Sequence, residues 1–222
     1  MFNKLTRVIA LLAMILFATQ ANAVTYTGPK MDLSKYQPEF RVGFLGDEAA
    51  QDIIARNDCF MPYIEAAYGV PAKFFTFKDY AGTMESMLGG NLDYTWFGSS
   101  GYAGMYLKDP TAVVPVLTRM QPTGDMGYYS VAVATKASGI KSMADLKGKS
   151  FGWADPNSTS GFLIPSIELK AMGMDPDTYF SKTQFSGGHE NNVLALMNGD
   201  VDAAVTWVSG VGSWEEGYSS GN

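Results

Sequence analysis

The sequence predicts an α/β protein of two lobes, with largely parallel sheets and a ligand cleft between the lobes. Three observations carry that expectation. Strand-like and helix-like stretches alternate from Phe40 onward, a break rich in turn-forming residues follows at Gln121-Pro122-Thr123-Gly124-Asp125, and a second alternation begins after it. Alternating β and α segments pack as helices against a parallel sheet. Two such units meeting at a break give a first lobe over residues 24–125 and a second over 126–222. Ligands of such folds sit in the crevice outside the carboxyl ends of the strands.

The first lobe opens with a strand-like stretch at 40–45, followed by a helical pattern over 49–68 that Gly69 closes. A second strand is predicted at 73–77 and a helix at 80–88, ended by Gly89-Gly90. A third strand at 93–97, a helix at 100–107 and a further strand at 113–119 complete the lobe. Beyond the break, 128–135 reads as a strand, with Val131, Val133 and Thr135 alternating against small residues. Strands near Phe151, at 183–185 and at 203–207 then alternate with helices from Ser158 and over 190–197. Pro165 falls inside the helix from Ser158, where a missing N–H should kink it or leave only its first turn regular. The chain stops at Asn222 with no closing element, and a strand returning to the first lobe is expected beyond it.

Residues 1–23 have the pattern of an export signal: Lys4 and Arg7, an apolar run from Val8 to Ala18, and a small-x-small site at Ala21-Asn22-Ala23, with cleavage expected near Ala23/Val24. The run is too short to span a bilayer, so the mature protein is expected to be exported and not membrane-spanning. The whole chain has a net charge of −6. Without Lys4 and Arg7, 14 basic residues face 22 acidic ones, a net charge of −8, which argues against a nucleic-acid partner. With Cys59 as the single cysteine there is no intrachain disulfide, and Cys59 reads as a small helix residue at least partly buried.

The segment Asp155-Pro156-Asn157-Ser158-Thr159-Ser160-Gly161-Phe162 follows a short strand-like stretch and opens a helix. The first N–H groups of a helix lack intrahelical partners and carry the positive end of its dipole. Hydroxyl donors added there make a pocket for a compact oxyanion. The same residues also read as an ordinary cap by Asp155 or Ser158. Four further loops lie at or beside strand ends: Asp79-Tyr80-Ala81-Gly82, Trp96-Phe97-Gly98-Ser99-Ser100, Gly127-Tyr128-Tyr129-Ser130 and Gly187-Gly188-His189-Glu190-Asn191. Tyr80 and Trp96 are read either as packing or as recognition. His189, the one histidine, follows two glycines at a second helix start, where backbone approaches a ligand closely. Glu190 suits the helix dipole better than an anion, which it would repel.

Other chemistries lack their residues. One His, one Cys and scattered acids give no metal-ligand set at usable spacing, and no cofactor is expected. Ser158, His189 and Asp155 supply the residue types of a hydrolase triad, but Asn-Ser-Thr-Ser-Gly is not the Gly-x-Ser-x-Gly elbow. No Gly-x-x-x-x-Gly-Lys loop occurs.

The Asp155–Phe162 block, with Asp79-Tyr80-Ala81-Gly82, Gly127-Tyr128-Tyr129-Ser130-Val131 and Gly188-His189-Glu190, resembles the periplasmic phosphonate-binding proteins of ABC importers, the PhnD type. Order and spacing agree from about Arg41 to about Trp207. The resemblance implies a type II periplasmic-binding-protein (Venus flytrap) fold, and a solute-binding component that delivers a small phosphonate or other phosphorus oxyanion to a membrane permease. It further implies that Ser158 and Thr159 donate hydroxyls and N–H groups to the phosphonate oxygens. Ser160 adds an N–H, His189 binds from a second loop, and Tyr80 and Tyr128 close over the ligand. In relatives taking aminoalkyl phosphonates, an acid pairs with the amine at the position that is Ser209 here, and a second acid lies beyond Asn222.

The motifs contain neutral donors and no arginine or lysine clamp, since Arg119 and Lys78 lie outside them. A donor-only lining suits a phosphonate dianion and leaves the proton of hydrogen phosphate unpaired. Asp155 is the residue expected to spoil that discrimination by accepting the proton. Trp96 joins Tyr80 and Tyr128 as an aromatic wall. Ser158→Ala and Thr159→Ala are each expected to weaken binding by roughly 1–3 kcal/mol. The alternatives are a phosphate, phosphite or sulfonate receptor of the same fold, and a secreted serine hydrolase using Ser158 and His189.

Overall fold

A computed structural model describes residues 25–120 and 124–209. The expected export signal, residues 121–123 of the break and the tail beyond residue 209 lie outside the described residues.

Two sheets organise the chain. The first is all-parallel, in the order β2-β1-β3, from β1 (Phe40–Phe44), β2 (Ala72–Thr76) and β3 (Tyr94–Thr95). The second has the order β4-β7-β5-β6, from β4 (Tyr129–Ala134), β5 (Ser150–Trp153), β6 (Lys182–Phe185) and β7 (Ala203–Val208). β5 runs parallel to β6 and β7, while β4 runs antiparallel to β7, with Tyr129 opposite Val208 and Ala134 opposite Ala203. Each sheet has its own core. Val42, Phe44 and Ala72 pack against Ile53 and Ile64 on one side of the molecule, and Phe151, Trp153, Ala203 and Val205 pack against Leu146, Leu169 and Phe180 on the other.

The helical pattern over 49–68 divides into α1 (Ala50–Asn57) and α2 (Phe60–Tyr68). Pro62 has no N–H to give the Asp58 carbonyl, which instead receives Met61 N at 3.3 Å, and Asn57 Nδ2 takes the Ile53 carbonyl at 2.8 Å. Cys59 lies in the break and is exposed, not buried as expected. The helix expected at 80–88 forms as α3 (Tyr80–Leu88), with the Asp79 carboxylate accepting Gly82 N at 2.8 Å as its cap. β3 is shorter than expected. Its neighbour Asp93 turns to a bidentate pair with Arg41 (2.8 and 3.0 Å), and Trp96 and Phe97 leave the sheet.

After α4 (Ser99–Lys108), the segment over 113–119 forms no strand. Pro115 interrupts its donors, Val114 and Val116 are exposed, and only Val113 is buried, against Met84 and Met105. In the second half a π-helical turn (Thr159–Leu163) leads into α5 (Ile164–Ala171), followed by α6 (Pro176–Tyr179) and α7 (His189–Asn198). Pro165 causes no mid-helix kink because it falls in the first turn of α5. The carbonyl its N–H would have served, that of Gly161, is taken by Ala154 N at 3.1 Å.

Candidate functional site

The helix openings predicted to meet a ligand converge from both sheets. The backbone leaves β5 at Trp153, and Ser158 caps the π-helical turn, its Oγ accepting Gly161 N at 3.0 Å. The Ser158 hydroxyl is 99% buried and lies 3.2 Å from His189 Nε2. His189 opens α7, and its Nδ1 lies 3.3 Å from Thr206 Oγ1 of β7. Placing the ring proton on Nε2 satisfies every partner, with the Thr206 hydroxyl donating to Nδ1 and Nε2–H donating to Ser158 Oγ. The opposite tautomer satisfies them too, with Nδ1–H donating to Thr206 Oγ1 and the Ser158 hydroxyl donating to Nε2. Burial drives the His189 pKa down to about 4, so the imidazole is neutral at neutral pH.

From the first sheet, Tyr80 at the start of α3 brings its phenol beside Ser158. Burial, with Asp47 nearby, holds the Tyr80 phenol well above its ordinary range, so it remains a protonated donor. Thr159 Oγ1 accepts Ser100 N at 2.9 Å, capping the first turn of α4 from the opposite side of the molecule. That hydroxyl retains its own proton to give. Gly98 makes the approach workable, since a Cβ there would sit 2.5 Å from Thr159 Oγ1. Ser130 Oγ donates to the Ser160 carbonyl at 2.7 Å, fixing β4 against the turn.

These groups line one cavity of ≈ 250 Å³ between the two sheets. It is smaller than the usual range for drug-sized ligands, roughly 300–1,000 Å³, and so suits a small solute. Seven of the eight predicted residues border it: Tyr80, Trp96, Tyr128, Ser158, Thr159, Ser160 and His189. Tyr128 packs edge-on to Trp207 with centroids 6.0 Å apart, making an aromatic wall. Asp155 does not line the cavity. Its carboxylate is buried and turned to backbone, accepting Asn157 N at 2.7 Å and Tyr80 N at 3.5 Å.

Sequence reasoning missed two charged groups on the cavity wall, Asp47 and Arg119. Arg119 stacks over Trp96 with its guanidinium carbon 5.4 Å from the ring centroid, so the expectation of a site without arginine does not hold. Asp47, on the loop leaving β1, replaces Asp155 as the carboxyl facing the cavity, so the lining is not donor-only. Its loop leaves the carboxyl end of a strand, the same signal that selected the other loops. Glu190 keeps clear of the cavity wall, its Oε2 accepting Ala49 N at 2.6 Å as a cap for α1.

The arrangement offers neutral hydroxyls, a neutral imidazole, helix openings and one guanidinium to an anion. The resources for hydrolysis are incomplete. His189 Nδ1 faces a threonine hydroxyl where a triad would place a carboxylate, and Asp155 is committed to backbone N–H groups. Among the described residues, no group of three or more His, Cys, Asp or Glu could hold a metal ion, and no helix is long and apolar enough to cross a membrane.

Comparison with known proteins gives the same architecture. A solved binding-protein component of an ABC phosphonate transporter from Pseudomonas aeruginosa superposes with a TM-score of 0.67 at 29% identity, covering 77% of this chain and 57% of that one. The chain is 29% identical to the phosphonates-binding periplasmic protein of Escherichia coli, over 88% of this chain and 58% of that protein. It is 33% identical to the phosphate-import protein PhnD of Mycolicibacterium smegmatis, over 72% of this chain and 52% of that protein. The chain thus spans little more than half the length of the curated relatives it matches. The family described as ABC transporter, phosphonate, periplasmic substrate-binding protein matches residues 42–216. This chain therefore belongs to the phosphonate periplasmic substrate-binding proteins of ABC transporters.

Proposed function

We propose that the protein is a periplasmic solute receptor that captures a small phosphonate or related phosphorus oxyanion and delivers it to an ABC transporter permease. The observation that carries this reading is the buried Ser158–His189 pair, set in a cavity ringed by helix openings. Tyr80, Tyr128, Ser158, Thr159, Ser160 and His189 bind the oxyanion, Trp96 walls it, and Arg119 supplies the countercharge. Asp155 acts indirectly by holding the Tyr80 backbone. Hydrogen bonds to a charged group contribute roughly 1.5–3 kcal/mol each. Four to six of them support sub-micromolar binding after association costs of roughly 4–15 kcal/mol. Residues 1–23 direct export and are removed near Ala23/Val24.

Phosphate or phosphite as the preferred ligand is the second reading. Asp47 on the cavity wall favours phosphate, because a carboxyl there accepts the P–O–H proton of hydrogen phosphate, whereas the phosphite dianion brings only a P–H hydrogen, as a phosphonate dianion brings only P–C. Parallel calorimetric titrations with methylphosphonate, phosphite, phosphate and taurine test both. Phosphorus oxyanions binding with taurine silent supports the receptor reading. Taurine binding more tightly than every phosphorus oxyanion overturns it.

A further inference from the structure

Among the described residues, Asp47 is the one carboxyl lining the cavity, in a site otherwise equipped for an anion. Its backbone is clamped from two sides. A Cβ on Gly46 would lie 2.3 Å from the Phe77 carbonyl oxygen, so the loop rests on the end of β2. A Cβ on Gly188 would lie 2.8 Å from Asp47 Cα, and the Asp47 carbonyl accepts Glu190 N at 3.1 Å. Clamped in this way, the loop keeps Asp47 on the wall that it shares with Tyr80, Ser158 and His189.

The charged and titratable groups facing Asp47 are Arg56 of α1, Glu190 at the start of α7, Arg119 and the Tyr80 phenol. Arg56 is ion-paired with Glu48, which blunts its effect on Asp47. The neutral His189 shares the cavity and contributes no charge there. Burial outweighs both guanidinium groups and pushes the Asp47 carboxyl up to about 6. An oxyanion entering the cavity adds like charge and favours the acid form further, as between two carboxylates sharing one site.

We propose that Asp47 is a specificity residue that makes the cavity bind an oxyanion together with one proton, shared between its carboxyl and a headgroup oxygen. The inference rests on the phosphorus-oxyanion reading above. The proton has two sources. A fully ionised phosphonate brings none, so Asp47 takes one from water and its carboxylic O–H donates to the ligand. Hydrogen phosphate brings its own, and its P–O–H donates to the Asp47 carboxylate. Only O–H bonds are exchanged, and the complex holds the same single proton in both cases. The two ligands therefore compete on unequal terms as pH rises, because only the phosphonate must draw a proton from solution.

The test is isothermal titration calorimetry of the purified protein at pH 9, in two phosphate-free buffers of different ionisation enthalpy. Methylphosphonate and inorganic phosphate are titrated in turn. The expected result is uptake of about one proton per methylphosphonate and about none per phosphate. Methylphosphonate affinity is expected to fall about tenfold per pH unit in this range. In Asp47→Ala the uptake vanishes. Asp47→Asn, nearly isosteric and unable to titrate, loses the uptake likewise with the loop intact. Absence of proton uptake with methylphosphonate in the wild type, or uptake unchanged in both variants, overturns the proposal while leaving the receptor reading in place. A wild type that binds neither oxyanion overturns both.

Discussion

Ser158→Ala separates the two roles that the sequence allows this residue, cap and ligand donor. In the free protein the hydroxyl oxygen accepts Gly161 N at 3.0 Å and meets His189 Nε2 at 3.2 Å. Losing the cap costs about 1 kcal/mol, and leaving a buried imidazole N–H unpaired costs roughly 1–3 kcal/mol. The variant is therefore expected to be about 2–4 kcal/mol less stable. For a protein of this size, thermal melting falls by about 2–4 °C per kcal/mol. Neither loss depends on ligand. If Ser158 binds as proposed, its hydroxyl also donates to the oxyanion in the complex, and a hydrogen bond to a charged group contributes roughly 1.5–3 kcal/mol. Methylphosphonate affinity should fall roughly 10- to 150-fold, at 1.36 kcal/mol per decade. Scanning calorimetry reads the first effect and titration calorimetry the second. A lower melting temperature with affinity unchanged within about twofold would mean that Ser158 is only a cap.

Thr159→Val keeps the side-chain shape and removes the hydroxyl that bridges to Ser100 N, so binding should weaken by roughly 1–3 kcal/mol by titration; unchanged affinity would remove Thr159 from the site. Asn192 is fully buried and donates to the Gly152 and Val205 carbonyls at 2.9 and 2.8 Å, joining α7 to β5 and β7. Asn192→Leu leaves both carbonyls without that partner, and denaturant unfolding should show a loss of roughly 2–6 kcal/mol; a loss below about 1 kcal/mol would contradict that role. His189 and Asp47 act on stability with opposite sign. The folded-state pKa of His189 is lowered from 6.5 to about 4, so its contribution is complete above about 6.5 and is lost as pH falls toward 4. The folded-state pKa of Asp47 is raised from 3.8 to about 6, so its contribution is complete below about 4 and is lost as pH rises toward 6. Between pH 4 and 6 the two slopes oppose each other. Relative to wild type, His189→Gln should lose stability as pH rises through that window and Asp47→Asn should gain it, with the reverse pattern in urea titrations counting against these environments.

Local chemistry explains which parts of the fold could be read in the sequence. The helix at 80–88 stops at the glycine pair read as its end, and the structure adds an Asp79 cap that was not read. The strand patterns read at 128–135 and 203–207 form as Tyr129–Ala134 and Ala203–Val208, which pair with each other. Failures came where a single residue overrides a pattern. Pro62 divides an apparently continuous helix, and Pro115 denies the apolar run at 113–117 the donors of a strand. The motif residues were chosen for hydroxyl, ring and helix-start geometry, and the topology brings seven of the eight around one cavity. Asp47 and Arg119 were missed because their placement depends on long-range packing. The Asp47 loop is set by contact with Gly188, and Arg119 by stacking on Trp96. Asp155 was assigned to the ligand because sequence shows a carboxylate beside the hydroxyls but not that two backbone N–H groups claim it.

The central claim is that the helix openings of both sheets hold a phosphorus oxyanion at the Ser158–His189 pair. A crystal structure of the protein with methylphosphonate tests it most directly. The phosphoryl oxygens are expected within hydrogen-bond distance of Ser158, Thr159 and Tyr80, with Arg119 on the same wall. Clear ligand density elsewhere, with this cavity holding only water, would contradict it.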